Sequence, residues 1–148
     1  MAQGPFASGV TAWVLETKER MTAVRAEAAQ RTVEIMQTPV AKGGNMPVDT
    51  GFLRASLQGA IGQGGFTPRE NPNPDGSFAY DAGPITLVIA GAAPSDAITV
   101  AYTANYAAAA NYGARGRPGR QFVGLAAQQW PRIVADVCVE AQARAKGR

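Results

Sequence analysis

The feature that most constrains this chain is a long helical repeat at its start. From Val10 the larger apolar residues fall at Val10, Trp13, Val14, Met21, Val24 and Ile35, with Thr17 and Ala28 keeping the three-to-four spacing between them. That spacing predicts an amphipathic helix of about thirty residues, with Ser8 placed to cap it. Glu16, Lys18, Glu19, Arg20, Arg25, Glu27 and Glu34 lie mostly off the stripe and read as a solvated face. The helix must stop at Thr38-Pro39, because the proline ring disfavours helical geometry in the residue before it. Whatever the rest of the chain forms has to pack against this rod.

Beyond Pro39 the elements are shorter and the turns more frequent, as 17 Gly and 10 Pro in 148 residues require. A Gly-rich connector (AKGGNMP) leads to VDTGFLRASLQGAIG. There Asp49 is expected to cap a helical turn with Leu53 and Leu57 on one side, and a strand is expected at 57–61. Residues 62–83 carry Gly, Pro, Asn and Asp without a period and read as one long exposed loop, mobile in an isolated subunit. Two β-branched runs, Ile85–Ala90 and Ala97–Tyr102, are separated by GAAPSD and suit an antiparallel hairpin. NYAAAANYG reads as a short helix stopped at Gly113, and ARGRPGR as a basic loop over 113–120. A final helix is expected from about Gln121 to Lys146, its apolar face formed by Phe122, Leu125, Trp130, Ile133, Val134, Val137 and Cys138. Pro131 marks a kink or a restart within it.

There is no βαβ alternation and no internal repeat, so the expected class is α+β: a small antiparallel sheet packed by a long N-terminal helix and a C-terminal helix. At 148 residues and 46% hydrophobic composition, residues 1–148 are expected to form a single domain with a real core.

Composition also narrows function. Histidine is absent, which removes the commonest general base, the Ser-His and Cys-His pairs and the usual nitrogen ligand for zinc. The single cysteine, Cys138, allows no internal disulfide and reads as a core residue, as do Trp13 and Trp130. No apolar run approaches the roughly 20 residues needed to span a bilayer, and MAQGPFASG lacks a signal-peptide pattern, so a soluble protein made in the cytoplasm is expected. Charge is uneven: residues 1–110 hold 7 basic and 9 acidic side chains, residues 111–148 hold 7 and 2.

Three strings invite chemical readings. Asp49-Thr50-Gly51 matches the aspartic-protease triplet, but such an enzyme needs its aspartate in a loop between strands, whereas here a helix and a connector precede it and FLRASL comes after. Asn71, Asn73, Asp75 and Gly76 imitate the start of a calcium loop, yet Ala82 stands where the bidentate Glu belongs, so a solvated Asn-Pro turn is the expectation. GARGRPGR sets Arg115, Arg117 and Arg120 among glycines, an arrangement that suits a plain solvated loop, a neighbouring subunit or nucleic acid.

VDTGFLRASL, and YTANYAAAANYGARGRPGRQFVGLA about fifty residues later, together resemble the small neck and tail-completion proteins of long-tailed phages and related gene transfer agents. Asp49, Thr50, Gly51, Leu53, Arg54 and Ser56 match the first element of that family, and Tyr106, Tyr112, Gly113, Phe122 and Ala126 the second. The resemblance runs in order over about residues 8–140. This chain departs at Ala114, where Thr is common, and at Arg120-Gln121, where a small residue and Pro usually precede the aromatic. The resemblance implies a non-enzymatic virion protein that forms a ring, a hexamer by analogy, closing the tail and joining it to the head connector.

Its partners would be itself, the connector and tail-tube proteins and, transiently, passing DNA, with no cofactor, metal, membrane or small-molecule substrate. Asp49, Thr50, Gly51, Arg54, Tyr112, Gly113, Arg115, Arg117, Arg120 and Phe122 are the residues such an interface would use. A tail terminator or head-proximal stopper is the near alternative, and a nucleic-acid-binding module the distant one.

Overall fold

The computed structural model describes residues 5–147. Helix α1 (Pro5–Gln37) is 33 residues long, roughly 50 Å of rod at 1.5 Å per residue. Ser8 lies inside the helix instead of capping it. A short 3-10 turn (Val40–Lys42) and the connector lead to α2 (Phe52–Ala55) and strand β1 (Leu57–Ile61). Then come α3 (Gly83–Gly91), β2 (Ile98–Tyr102), α4 (Ala107–Tyr112), the two-residue strands β3 (Gly113–Ala114) and β4 (Arg117–Pro118), α5 (Phe122–Gln128) and α6 (Trp130–Lys146).

The class is α+β, with an antiparallel sheet made of β1 and β2, Leu57 opposite Tyr102 and Ile61 opposite Ile98. The expected hairpin of 85–90 with 97–102 does not form, because residues 85–90 are helical. The local reasons are legible: the Asp81 carboxylate accepts the Gly83 N–H at 2.9 Å, and Pro84 presets helical geometry in the first turn. Ile85, Ile89 and Ala92 are buried and Val88 half-buried, which is helical and not strand spacing. Gly59 on β1 lets α3 approach, since a Cβ there would stand 3.2 Å from the Ile85 side chain.

One apolar cluster joins Val33 and Met36 of α1, Leu57 of β1, Ile85 and Ile89 of α3 and Ala126 of α5, so the helices cover one face of the sheet. A second holds Met46, Phe52, Leu53, Ala104 and Phe122 beneath the connector. In the third, Ala28 of α1 meets Ile133 and Val137 of α6; Ala28 is fully buried, and its small side chain allows the two helices to pack closely. Across that contact Arg31 reaches both Glu27 and Glu140, and Arg144 reaches Glu27, a four-charge network on the surface. Arg31 holds both carboxyls below their ordinary value.

The C-terminal segment is two helices. Pro131 sits in the first turn of α6, so the restart occurs where its missing N–H matters least. Cys138 is half-buried beside the core.

Candidate functional site

Asp49 does not cap α2. The residue at the N-cap is Gly51, in left-handed conformation at φ +87°, and no side chain caps the helix from that position. Thr50 acts instead: its hydroxyl accepts the Phe52 N–H at 3.2 Å and the Asn71 side-chain amide at 3.3 Å, while its carbonyl accepts the Phe78 N–H at 2.8 Å. A Cβ on Gly51 would lie 2.3 Å from the Phe78 carbonyl oxygen, so only glycine fits. Asp49 itself is exposed in a bend that leads into a helix, not in a loop between strands.

Arg54 closes the same junction. Its Nε donates to the Gln37 carbonyl at 2.8 Å, Gln37 Nε2 returns a bond to the Arg54 carbonyl at 2.9 Å, and the guanidinium lies 5.3 Å from the Tyr80 ring centre. A cation at the C-terminal end of α1 also suits the helix dipole. The Tyr102 hydroxyl donates to Gln37 Oε1 at 2.7 Å, and burial pushes its pKa upward. Thr50, Gly51 and Arg54 therefore join α1, α2 and the 62–82 segment within one subunit. Phe122 is 1% exposed and belongs to that core as well, packed edge-on to Tyr102, so it is not a free interface residue.

The 62–82 segment is exposed along most of its length but is tied down twice more. The Arg69 N–H donates to the Thr103 carbonyl at 2.7 Å, and the Asn105 N–H donates to the Arg69 carbonyl at 2.8 Å. In the calcium-like run, the Asn71 side chain accepts the Asn73 N–H at 2.8 Å, as an Asx turn does. Among the described residues no group of three or more acidic, Cys or His side chains could hold a metal ion.

The basic segment is a hairpin. Gly113 pairs with Pro118 and Ala114 with Arg117, leaving Arg115-Gly116 as the two-residue turn with φ +51° and +77°. Positive φ at both central positions is what the right-handed twist of a tight hairpin demands. It leaves the side chains of Arg115, Arg117 and Arg120 exposed, beside Tyr112, which is 80% exposed. Gly113, at φ +95°, ends α4 and starts the hairpin. Of the residues expected at an interface, this group alone is brought together on the surface.

The surface that sequence reasoning missed is the first half of α1. Phe6, Val10, Trp13, Val14 and Met21 are exposed, Phe6 at 86%, Trp13 at 66% and Met21 at 67%. The stripe reads as core along its whole length, yet it is core only from Val24 onward, where α5 and α6 cover it. Residues 6–21 span roughly 25 Å and are exposed almost throughout. The helical period shows that one face is apolar; it cannot show whether the same chain supplies the cover. Trp130, at 38% exposed, is also less enclosed than expected.

By contrast, Arg25, expected on the solvated face, is engaged. Its two terminal nitrogens donate to the carbonyls of Ala92, Ala93, Pro94 and Asp96 at 2.9–3.4 Å, tying α1 to the end of α3. No described helix is long and apolar enough to cross a membrane. Comparison of the chain with protein-family models, curated proteins and solved structures finds no match.

Proposed function

We propose that this chain is a structural subunit of a virion neck, a tail-completion protein that assembles into a ring, closes the tail and joins it to the head connector. The observation that carries the reading is the projecting half of α1, with five large apolar side chains on one face that the other described residues leave exposed. An exposed apolar face of that extent marks an interaction surface. Its place on a rod anchored only at the far end favours a contact with a different surface of the next copy. Such head-to-tail contacts close into a ring when the rotation between copies completes a circle.

The order of motifs shared with neck and tail-completion proteins supplies the biological setting, and the basic hairpin supplies a second outward surface suited to acidic groups on an adjacent subunit or to DNA phosphates.

Sedimentation of the purified protein, together with imaging of particles, tests the proposal. A closed ring is expected at the top of the tail, and Val10→Ser/Trp13→Ser should leave a folded monomer with wild-type melting. A wild-type protein that stays monomeric at high concentration, in particles with no ring at the neck, would refute it.

A further inference from the structure

We propose that the β3–β4 hairpin is a binding site for single-stranded nucleic acid, in which Arg115, Arg117 and Arg120 take backbone phosphates and the Tyr112 ring stacks on a base. Such binding is a property of the single chain and does not depend on the ring.

The backbone gathers the four side chains. Beyond the two strand pairs the ladder continues, with the Arg120 N–H donating to the Ala110 carbonyl and the Gln121 N–H to the Asn111 carbonyl, each at 2.9 Å. Gly119 lies against the end of α4, where a Cβ would stand 2.4 Å from the Tyr112 carbonyl carbon. A Cβ on Gly113 would stand 2.6 Å from the Arg117 carbonyl oxygen. These glycines bring the two arms into backbone contact, so Tyr112 and the three arginines share one small protrusion.

Nothing in the chain answers these side chains. The three guanidiniums are exposed and, among the described residues, none has a hydrogen-bond or ion-pair partner. The Tyr112 ring, exposed like them, meets no other ring among those residues. Folding does not explain Arg115, because the first central position of such a turn favours Asn, Asp or Gly and an arginine at φ +51° is strained there. No acidic residue lies between Asp96 and Asp136, so no sequence neighbour offsets the three positive charges.

Three uncompensated guanidiniums call for a polyanion. A second copy does not supply one. Nowhere in the sequence do three carboxylates fall within six residues, and Glu27 and Glu140, which the fold brings together, are bound by Arg31 and Arg144. An acidic peptide would satisfy the charge but leave the exposed ring without a role, whereas a nucleic acid carries phosphates and π faces together. The hairpin's cations are all arginine, whose planar fork matches phosphate oxygens in pairs. A base offers its face to a side chain only when unstacked, which selects a single strand over a duplex. Asn111, next to the ring, is 5% exposed; its Oδ1 accepts the Val123 N–H at 3.1 Å, and its Nδ2 donates to nothing among the described residues. Asn111 and Tyr112 line one cavity, so this amide is the donor left for an acceptor on a base edge at the ring.

Fluorescence anisotropy on the purified chain tests this, with labelled oligothymidylate, a DNA duplex of equal length and polyglutamate of equal charge as probes. Oligothymidylate should bind most tightly of the three. Exchanging the three arginines for Gln should reduce the slope of log K against log salt by about 2, since a single strand contributes about 0.7 per phosphate contact. Tyr112→Ala should weaken oligothymidylate binding at least fivefold with the salt slope unchanged, and Tyr112→Phe should bind like wild type, because the ring and not the hydroxyl makes the contact. All three variants should melt as wild type, since every replaced side chain is exposed. The proposal is overturned if oligothymidylate does not bind at low ionic strength, if the duplex or polyglutamate binds as tightly, or if Tyr112→Ala binds like wild type.

Discussion

Replacing Gly51 with alanine tests the reading of the Asp-Thr-Gly junction, and the structure contains its own control. Gly51 and Gly62 have nearly the same φ, +87° and +86°, but a Cβ on Gly51 would stand 2.3 Å from the Phe78 carbonyl oxygen, whereas Gly62 has nothing within 4 Å. Left-handed geometry costs an alanine about 1–2 kcal/mol at either site. At Gly51 the clash must also displace the Phe78 backbone. That movement threatens the hydrogen bond from the Phe78 N–H to the Thr50 carbonyl, worth about 0.5–1.5 kcal/mol, and the edge-on contact of Phe78 with Phe52 at 5.2 Å, worth about as much again. Gly51→Ala should thus cost roughly 2–5 kcal/mol and Gly62→Ala roughly 1–2. At about 2–4 °C per kcal/mol for a chain of this size, the melting temperatures should fall by roughly 4–20 °C and roughly 2–8 °C. Any loss of unfolded-state entropy on going from glycine to alanine is common to both and cancels in the difference. Thermal unfolding followed by circular dichroism gives both numbers. Shifts equal to within about 1 °C would mean that the Phe78 contact does not constrain Gly51, and the account of this junction would be wrong.

Because Asp49 is exposed and caps nothing, Asp49→Asn and Asp49→Ala should each change stability by less than about 0.5 kcal/mol, and a large loss on Ala alone would restore the cap. The Glu27 and Glu140 carboxyls sit below their ordinary value because Arg31 binds them, so their contribution is present above that value and is lost as pH falls through the depressed one. Arg31→Met should therefore flatten the decline in melting temperature on acidification below about pH 4.5, and an unchanged acid limb would remove the network from the stability of the α1–α6 contact. Exchanging Arg115, Arg117 and Arg120 together for Gln should leave unfolding unchanged, since all three are exposed; under the proposed neck function it should also impair the joining of heads to tails, and wild-type infectivity would then exclude the hairpin from assembly.

Sequence alone determined those elements whose signals are local. Thr38-Pro39 ends α1, residues 57–61 form a strand, Gly113 stops the Ala-rich helix and Pro131 restarts the last one, and each outcome stems from the backbone chemistry of one or two residues. The α+β class derives from the order of such segments. Tertiary structure decided what local chemistry leaves balanced. PITLVIA is as β-branched as a strand, yet Asp81 and Pro84 nucleate a helix, and the space opened by Gly59 rewards it with burial of Ile85 and Ile89. Arg54 is expected at an interface between subunits, but the fold brings the end of α1 and the Tyr80 ring to it from 17 and 26 residues away. The same limit governs the candidate site. The period of α1 fixes which face is apolar from Val10 to Ile35, but α5 and α6 reach only its second half, and burial depends on where a neighbour ends.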